Sequence, residues 1–374
     1  MRLKNYVHGQ WVEGTGPAVT LHDAVTGAAV AEASTGGLDF KAVLEYARKT
    51  GGPSLRSMSI HQRARMLKAL AQYMMGRKDE LYAVSAATGA TKSDSWVDIE
   101  GGIGTFFTYA SKGRRELPDE TFYIDGDLEP LSKGGTFVGR HICVPLEGTA
   151  VHINAFNFPC WGMLEKLAPT FLAGMPAIVK PATATSFLTN AMVKVMIESG
   201  LLPAGALQLL CGSVGDTFEH LTSQDVVTFT GSAATGRKLK AHPSIINESI
   251  RFNMEADSLN FSMLGPGDGP GTEEFDLFIK EVSREMTLKA GQRCTAIRRV
   301  LVPESMVEPV IQALSKRLSG ATLGNPSVEG VRMGPLATKD QVVEVRKSLD
   351  ALRRGAQLVY GDLDGFSVVG AERE

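Results

Sequence analysis

The chain of 374 residues is 43% hydrophobic and 21% charged, and its 39 Lys and Arg nearly balance 41 Asp and Glu. That balance excludes a strongly basic nucleic-acid binder and a polybasic membrane-surface protein. No apolar run approaches the roughly 18 residues that would span a bilayer.

In chain order, Tyr6 to Val12 alternates apolar and polar around Gly9, which reads as a hairpin. From Ile60 to Met75, Met66, Leu67, Leu70 and Met74 fall near one face, with Arg63, Arg65 and Lys68 largely off it, so this is a surface helix packed on a core. From residue 145 the pattern becomes regular. Strand-like runs start at 149, 176, 206 and 225, and helical stretches separate them, among them Gly162 to Ala173 and Thr185 to Ser199. This is the cadence of a parallel α/β sheet. Ligands of such sheets lie beyond the carboxyl ends of the strands, here residues 154–159, 180–185, 211–215 and 231–236. Further on, Gly265 to Gly271 is a loop, Phe275 to Lys289 a helix, Gly291 to Ala296 a break, Val300 to Pro303 a strand and Met306 to Leu318 a helix. The last stretch, Phe366 to Glu374, reads as a severed edge. The amino terminus lacks the apolar stretch of a secretory leader, so a cytoplasmic location is expected.

Three residues and one loop stand out chemically. Gly231-Ser-Ala-Ala-Thr-Gly236 follows a strand and opens a helix, so its N–H groups can face a phosphate. Arg237-Lys238 replaces the Lys-[Ser/Thr] pair of a P-loop, which excludes an NTPase. Four cysteines, at 143, 160, 211 and 294, are too sparse for a disulfide framework, and no metal is expected because they share no ligand spacing with histidine. Cys143, Cys160 and Cys211 lie in or beside apolar runs and read as core. Cys294 has a polar, irregular context, with Lys289, Arg293, Arg298 and Arg299 nearby to favour a thiolate. Asn157 follows a strand, where its amide can donate to an oxyanion. Glu255 lies in an apolar and polar mixture that can desolvate a carboxylate into a base. Taken singly, Asn157 is more often a turn residue and Glu255 a solvated or paired acid.

Together, Ile153-Asn-Ala-Phe-Asn-Phe-Pro159, Val179-Lys-Pro-Ala182, Phe229-Thr-Gly-Ser232, Met254-Glu255 and Gly291-Gln-Arg-Cys-Thr-Ala296 resemble the aldehyde dehydrogenase superfamily. The finer wording, in Ser95–Ile103, Asn157–Lys166 and Met254–Asn260, resembles the aldehyde dehydrogenase part of bifunctional ring-opening enzymes of phenylacetate degradation. Semialdehyde dehydrogenases of the benzoyl-CoA epoxidation pathway are similar. The resemblance implies a Rossmann-like cofactor domain over 1–254, with a bridging or oligomerisation excursion near 120–145. An incomplete α/β catalytic domain would follow over 255–374, in a homo-oligomer that takes a small aldehyde, CoA-linked by this likeness, and neither nucleic acid nor membrane.

By the same resemblance, Cys294 attacks the aldehyde, Asn157 and the Cys294 N–H hold the oxyanion, and Glu255 activates the water that hydrolyses the thioester. Lys180 binds the adenosine ribose, and Gly231, Ser232 and Gly236 approach the pyrophosphate. Ile153, Phe156 and Gln341 are further cofactor contacts. Many NAD-preferring members carry Glu where this chain has Thr183, so charge favours NADP, with NAD the alternative. Two departures bear on this. The usual Glu-Leu-Gly-Gly-Lys wording is Glu255-Ala-Asp-Ser-Leu here, and the Glu-x-Phe-Gly-Pro block is absent, which opens a second reading as a non-catalytic nucleotide-binding fragment. Acylating members lack the general-base Glu, so Glu255 counts against that type.

Overall fold

Four short apolar runs and one alternating edge strand form the parallel part of a seven-stranded sheet in the computed structural model, which describes residues 1–361, 363 and 365–371. Its strands are β1 (Lys4–Val7), β2 (Gln10–Glu13), β3 (Ala150–Ile153), β4 (Ala177–Lys180), β5 (Leu207–Leu209), β6 (Val226–Gly231) and β7 (Arg251–Ala256). The order across the sheet is β7-β6-β3-β4-β5-β1-β2, with the amino-terminal hairpin added antiparallel at one side. His8 and Gly9, at φ of 53° and 74°, form the left-handed turn of that hairpin. β3 and β4 are almost wholly buried, as strands covered on both faces must be.

The chain divides into two compact units. The first comprises Met1–Val19, Ala31–Leu81 and Val97–Ala256, and the second Thr20–Val30, Tyr82–Trp96 and Asp257–Glu374. In the first unit, one face of the sheet gives Val151, Ile153, Ile178, Val227 and Phe229 to an apolar cluster with Val43, Leu44 and Phe218. In the second, helices Glu273–Thr287 and Val307–Leu318 pack Phe275, Phe278, Ile279 and Val282 against Val310, beside a two-stranded parallel pair, Phe261–Met263 and Arg299–Leu301.

Several expectations change. The helix Ile60–Gly76 forms, opened by a capping box in which Ser59 and Gln62 bond reciprocally. Arg63, however, lies on its buried face at 1% exposure. It donates from Nε to Leu172 O (2.8 Å) and from Nη1 to Leu55 O (3.1 Å) and Met58 O (2.6 Å). Those carbonyls include the end of helix Trp161–Leu172, where acceptors lack intrahelical partners and a cation is favoured. Burial lowers the guanidinium pKa to about 10. Cys160 and Cys211 are buried, but Cys143 is exposed. It ends the strand Val138–Cys143, paired antiparallel with Tyr123–Pro130 in a ribbon whose own apolar residues, Ile142 among them, face outward. The apolar run around Cys143 therefore marks a surface. The predicted helix to Lys289 stops at Thr287, because Lys289 and Ala290 adopt left-handed backbone. Of the final stretch read as a severed edge, residues 372–374 lie outside the described residues.

Candidate active site

The order of the parallel strands reverses at β3. The chain runs from β3 outward through β4 to β5, then returns to place β6 and β7 on the other side of β3. At such a switch point the loops leaving two neighbouring strands diverge and open a crevice at their carboxyl ends. Here those loops are residues 154–160 after β3 and 231–236 after β6. Asn157 and Phe156 lie half-buried in the first, and the Phe156 carbonyl is held by Thr185 Oγ1 at 3.1 Å. Ile153 ends β3, buried, opposite Lys180 and Phe229.

Ser232 in the second loop caps helix Ala233–Lys240, its hydroxyl accepting from the Thr235 N–H. Gly231 and Gly236 are small because of packing inside the unit. A Cβ at Gly236 would stand 2.8 Å from Met254 Sδ, and one at Gly231 2.7 Å from Phe229 Cζ. Glycine at 236 thus lets the helix lie close on β6 and β7, the third-glycine role of a dinucleotide-binding turn.

Lys180 ends β4 on the same face as Ile153. Its half-buried amine has no ion-pair partner among the described residues, and burial lowers its pKa. Thr183 opens the following 3-10 turn, half-buried, and no acid occurs from 181 to 186. A half-buried ammonium without a counter-carboxylate beside a strand-end crevice fits the anionic adenosine end of a dinucleotide.

Glu255 is on β7, opposite Thr230 in register. It is exposed, so the desolvation expected of it is absent. β7 is the edge strand, and alternation turns residue 255 away from the apolar face that takes Phe252 and Met254. Its surroundings are polar. Glu165, whose carboxyl is raised by burial and then by the Glu255 charge, accepts from Trp161 Nε1 at 2.9 Å. Lys166 donates to Ile153 O (3.1 Å) and Asn154 Oδ1 (2.8 Å), and burial pushes its ammonium down to about 8. Sequence reasoning passed over Asn154 and Lys166, although Asn154 is a polar residue at the end of an apolar strand, a signal that was open to reading.

Cys294 and Gln341 belong to the second unit. Cys294 is exposed, in the loop after Gly291. Lys289, Ala290 and Gly291 all have positive φ, of 51°, 53° and 72°. Two of the three are not glycine, so the approach to Cys294 carries strain that its surroundings must hold. Asp94 Oδ1 accepts the Lys289 N–H at 2.8 Å, and the Lys289 ammonium, buried, donates to Thr88 Oγ1 at 3.1 Å. Asn260 Nδ2 donates to the Cys294 and Ala296 carbonyls at 2.6 and 3.2 Å.

Of the cations expected to favour a thiolate, Arg293 is paired with Glu285 at 2.8 Å and Lys289 is turned to Thr88. Gln292 bonds Ala337 N, tying the cysteine loop to the segment before helix Lys339–Leu352. Gln341 is half-buried in the first turn of that helix, its N–H capped by Thr338 Oγ1.

The switch-point sheet and the ordered motifs agree with what comparison finds. The aldehyde dehydrogenase family matches over residues 11–368, and the chain belongs to that family, an oxidoreductase. A 3,4-dehydroadipyl-CoA semialdehyde dehydrogenase from Aromatoleum evansii is 44% identical over 373 residues, covering 100% of this chain and 72% of that protein. The likeness at this level is therefore to a CoA-linked semialdehyde dehydrogenase, and not specifically to the ring-opening enzymes of phenylacetate degradation. Two solved structures share the fold. A NAD-dependent benzaldehyde dehydrogenase from Corynebacterium glutamicum has a TM-score of 0.82 at 22% identity, over 97% of this chain and 77% of that one. An NADP-dependent enzyme from E. coli has a TM-score of 0.82 at 23% identity, over 96% and 72%.

Proposed function

We propose that this chain oxidises a CoA-linked semialdehyde, of the kind released when aromatic compounds are opened, to the carboxylic acid with NADP as acceptor. The observation that carries the reading is the β3/β6 crevice, with Asn157 on one lip, Gly231 and Ser232 on the other and Glu255 on the adjoining strand. Support for the substrate class comes from the 44% identical semialdehyde dehydrogenase.

In this reading the Cys294 thiolate attacks the aldehyde carbon, and the oxyanion is held by the Asn157 amide and the Cys294 N–H. NADP, which Lys180, Thr183 and the 231–236 loop would hold, would accept the hydride that the adduct loses on becoming a thioester. Glu255 then takes a proton from the water that releases the acid. Exposure in the unit leaves Glu255 able to meet that water. Lys180 and Thr183 hold the adenosine ribose and its phosphate, with Ile153, Phe156, Gly231, Ser232 and Gly236 around the dinucleotide and Gln341 at its second ribose. We place the protein in the cytoplasm as a homo-oligomer. Among the described residues no helix is long and apolar enough to cross a membrane.

The test is NADP reduction by the purified chain over a panel of free and CoA-linked semialdehydes. Turnover is expected to be fastest with a CoA-linked member and to vanish in Cys294→Ala. A Cys294→Ala protein that keeps the parent rate would end the covalent mechanism. Dinucleotide binding with no turnover on any aldehyde would favour a non-catalytic role.

A further inference from the structure

Five buried side-chain polar atoms lack a hydrogen-bond partner among the described residues, and four lie on one face of one strand pair. They are His152 Nδ1, Asn154 Nδ2, Thr228 Oγ1 and Thr230 Oγ1. β3 and β6 run parallel with His152 opposite Thr228. Alternation puts Asn154 and Thr230 on the same face two residues on, toward the crevice. Helix Trp161–Leu172 covers that face, with Thr170 Oγ1 3.1 Å from His152 Nε2 and Lys166 Nζ 2.8 Å from Asn154 Oδ1. His152 is 0% and Asn154 4% exposed. The opposite face of the same strands is apolar.

Buried polar groups are costly unless bonded, and clusters of them with room for two to four bonds hold ordered water. We propose that His152, Asn154, Thr228 and Thr230 line a buried hydration site between β3 and β6, which supplies the water that Glu255 activates. The proposal rests on the hydrolytic reading above. Thr230 lies opposite Glu255 in register, so the row continues one strand further onto the carboxylate. Lys166 spends two of its three N–H donors on Ile153 O and Asn154 Oδ1, which leaves the third for the site.

Burial, with Lys166 adding to it, pushes the His152 imidazole down to about 3, so it stays neutral and exchanges hydrogen bonds with water without acquiring charge. Each turnover consumes one water. Its oxygen bonds to the acyl carbon, the carbon–sulfur bond breaks, sulfur leaves as thiolate and Glu255 takes the proton. A hydration site directly beneath the crevice refills that position from the protein side, beside the solvent-exposed edge on which Glu255 lies.

The experiment pairs a high-resolution crystal structure of the full chain with hydrolysis of p-nitrophenyl acetate, which acylates a reactive thiol without cofactor. In the parent, ordered water is expected within about 3.2 Å of both His152 Nδ1 and Thr228 Oγ1. Thr228→Val, an isosteric change in a strand, should keep the nitrophenolate burst and lower the steady-state rate at least ~5-fold. Added hydroxylamine, a nucleophile that arrives from solvent, should restore that rate. Asn154→Leu should behave alike.

Protein at that position without ordered water, or Thr228→Val deacylating at the parent rate, would overturn the proposal. A Cys294→Ala protein that hydrolyses the ester at the parent rate would refute the acylated cysteine and the supply role with it, while the electron density still decides whether the hydration site exists.

Discussion

Thr183 stands three positions after Lys180, at the end of a parallel strand whose following turn carries no acid. A ribose 2′-phosphate there meets a half-buried ammonium and no opposing carboxylate. Placing Glu at 183 supplies an acceptor for a free 2′-hydroxyl and repels the phosphate. A charge change of this kind near a half-buried cation alters relative affinity by roughly 1–3 kcal/mol. Thr183→Glu is therefore expected to raise the ratio of kcat/KM for NAD over NADP at least ~10-fold. An unchanged ratio would remove Thr183 from cofactor choice.

At the same scale, Cys294 shows where sequence reading stopped. Gly291 marked a break, but nothing in the letters tells that Lys289 and Ala290 share its left-handed backbone. That conformation is imposed by Asp94 on the Lys289 N–H and by Thr88 on its ammonium, contacts about 200 positions away in the chain.

The helix Ile60–Gly76 carries its own lesson. Its apolar period places Leu67, Leu70 and Met74 correctly, while a hydropathy scale puts an arginine outside. Arg63 is inside because its donors reach the Leu172 carbonyl at a helix end and the Met58 carbonyl in the bend before its own helix, with Leu55 O a third acceptor that also takes the Met58 N–H. Arg63→Met keeps much of the volume and removes all three bonds, leaving the Leu172 and Met58 carbonyls without that donor while Leu55 O keeps the Met58 N–H. The expected cost is about 3 kcal/mol or more, read as a lower midpoint in urea at an unchanged m-value. A loss under ~1 kcal/mol would show that water takes over the carbonyls.

Four of the five parallel strands were legible for the opposite reason. Each is a short apolar run closed by Gly, Pro or Asn, as burial inside a sheet demands, whereas β7, Arg251–Ala256, alternates polar and apolar at the sheet edge and was not read as a strand. Their order was not legible, because the reversal at β3 depends on which strands pair and not on where they begin. The polar row of His152, Asn154, Thr228 and Thr230 escaped notice for the same reason. Each residue is unremarkable in its own strand, and only the register of β3 on β6 makes them neighbours.

At the scale of the whole molecule, the outward ribbon bears on how many copies associate. The ribbon of Tyr123–Pro130 and Val138–Cys143 adds nothing to the sheet of its unit and turns its apolar side chains outward. Leu131 is 58% exposed, Phe137 64% and Ile142 58%. A two-stranded ribbon is marginal by itself in water, and contiguous exposed apolar residues of this size mark an association surface. Burial against a second copy would give the ribbon the third layer it lacks. The chain should therefore sediment as a dimer or larger species at about 10 µM, a concentration at which a standard interface is populated. Phe137→Glu with Ile142→Lys should shift it to the monomer mass and leave the thermal unfolding of the sheet unit within a few degrees of the parent. A parent that is monomeric at that concentration, or a double variant that keeps the oligomeric mass, would show that the outward ribbon serves something other than self-association.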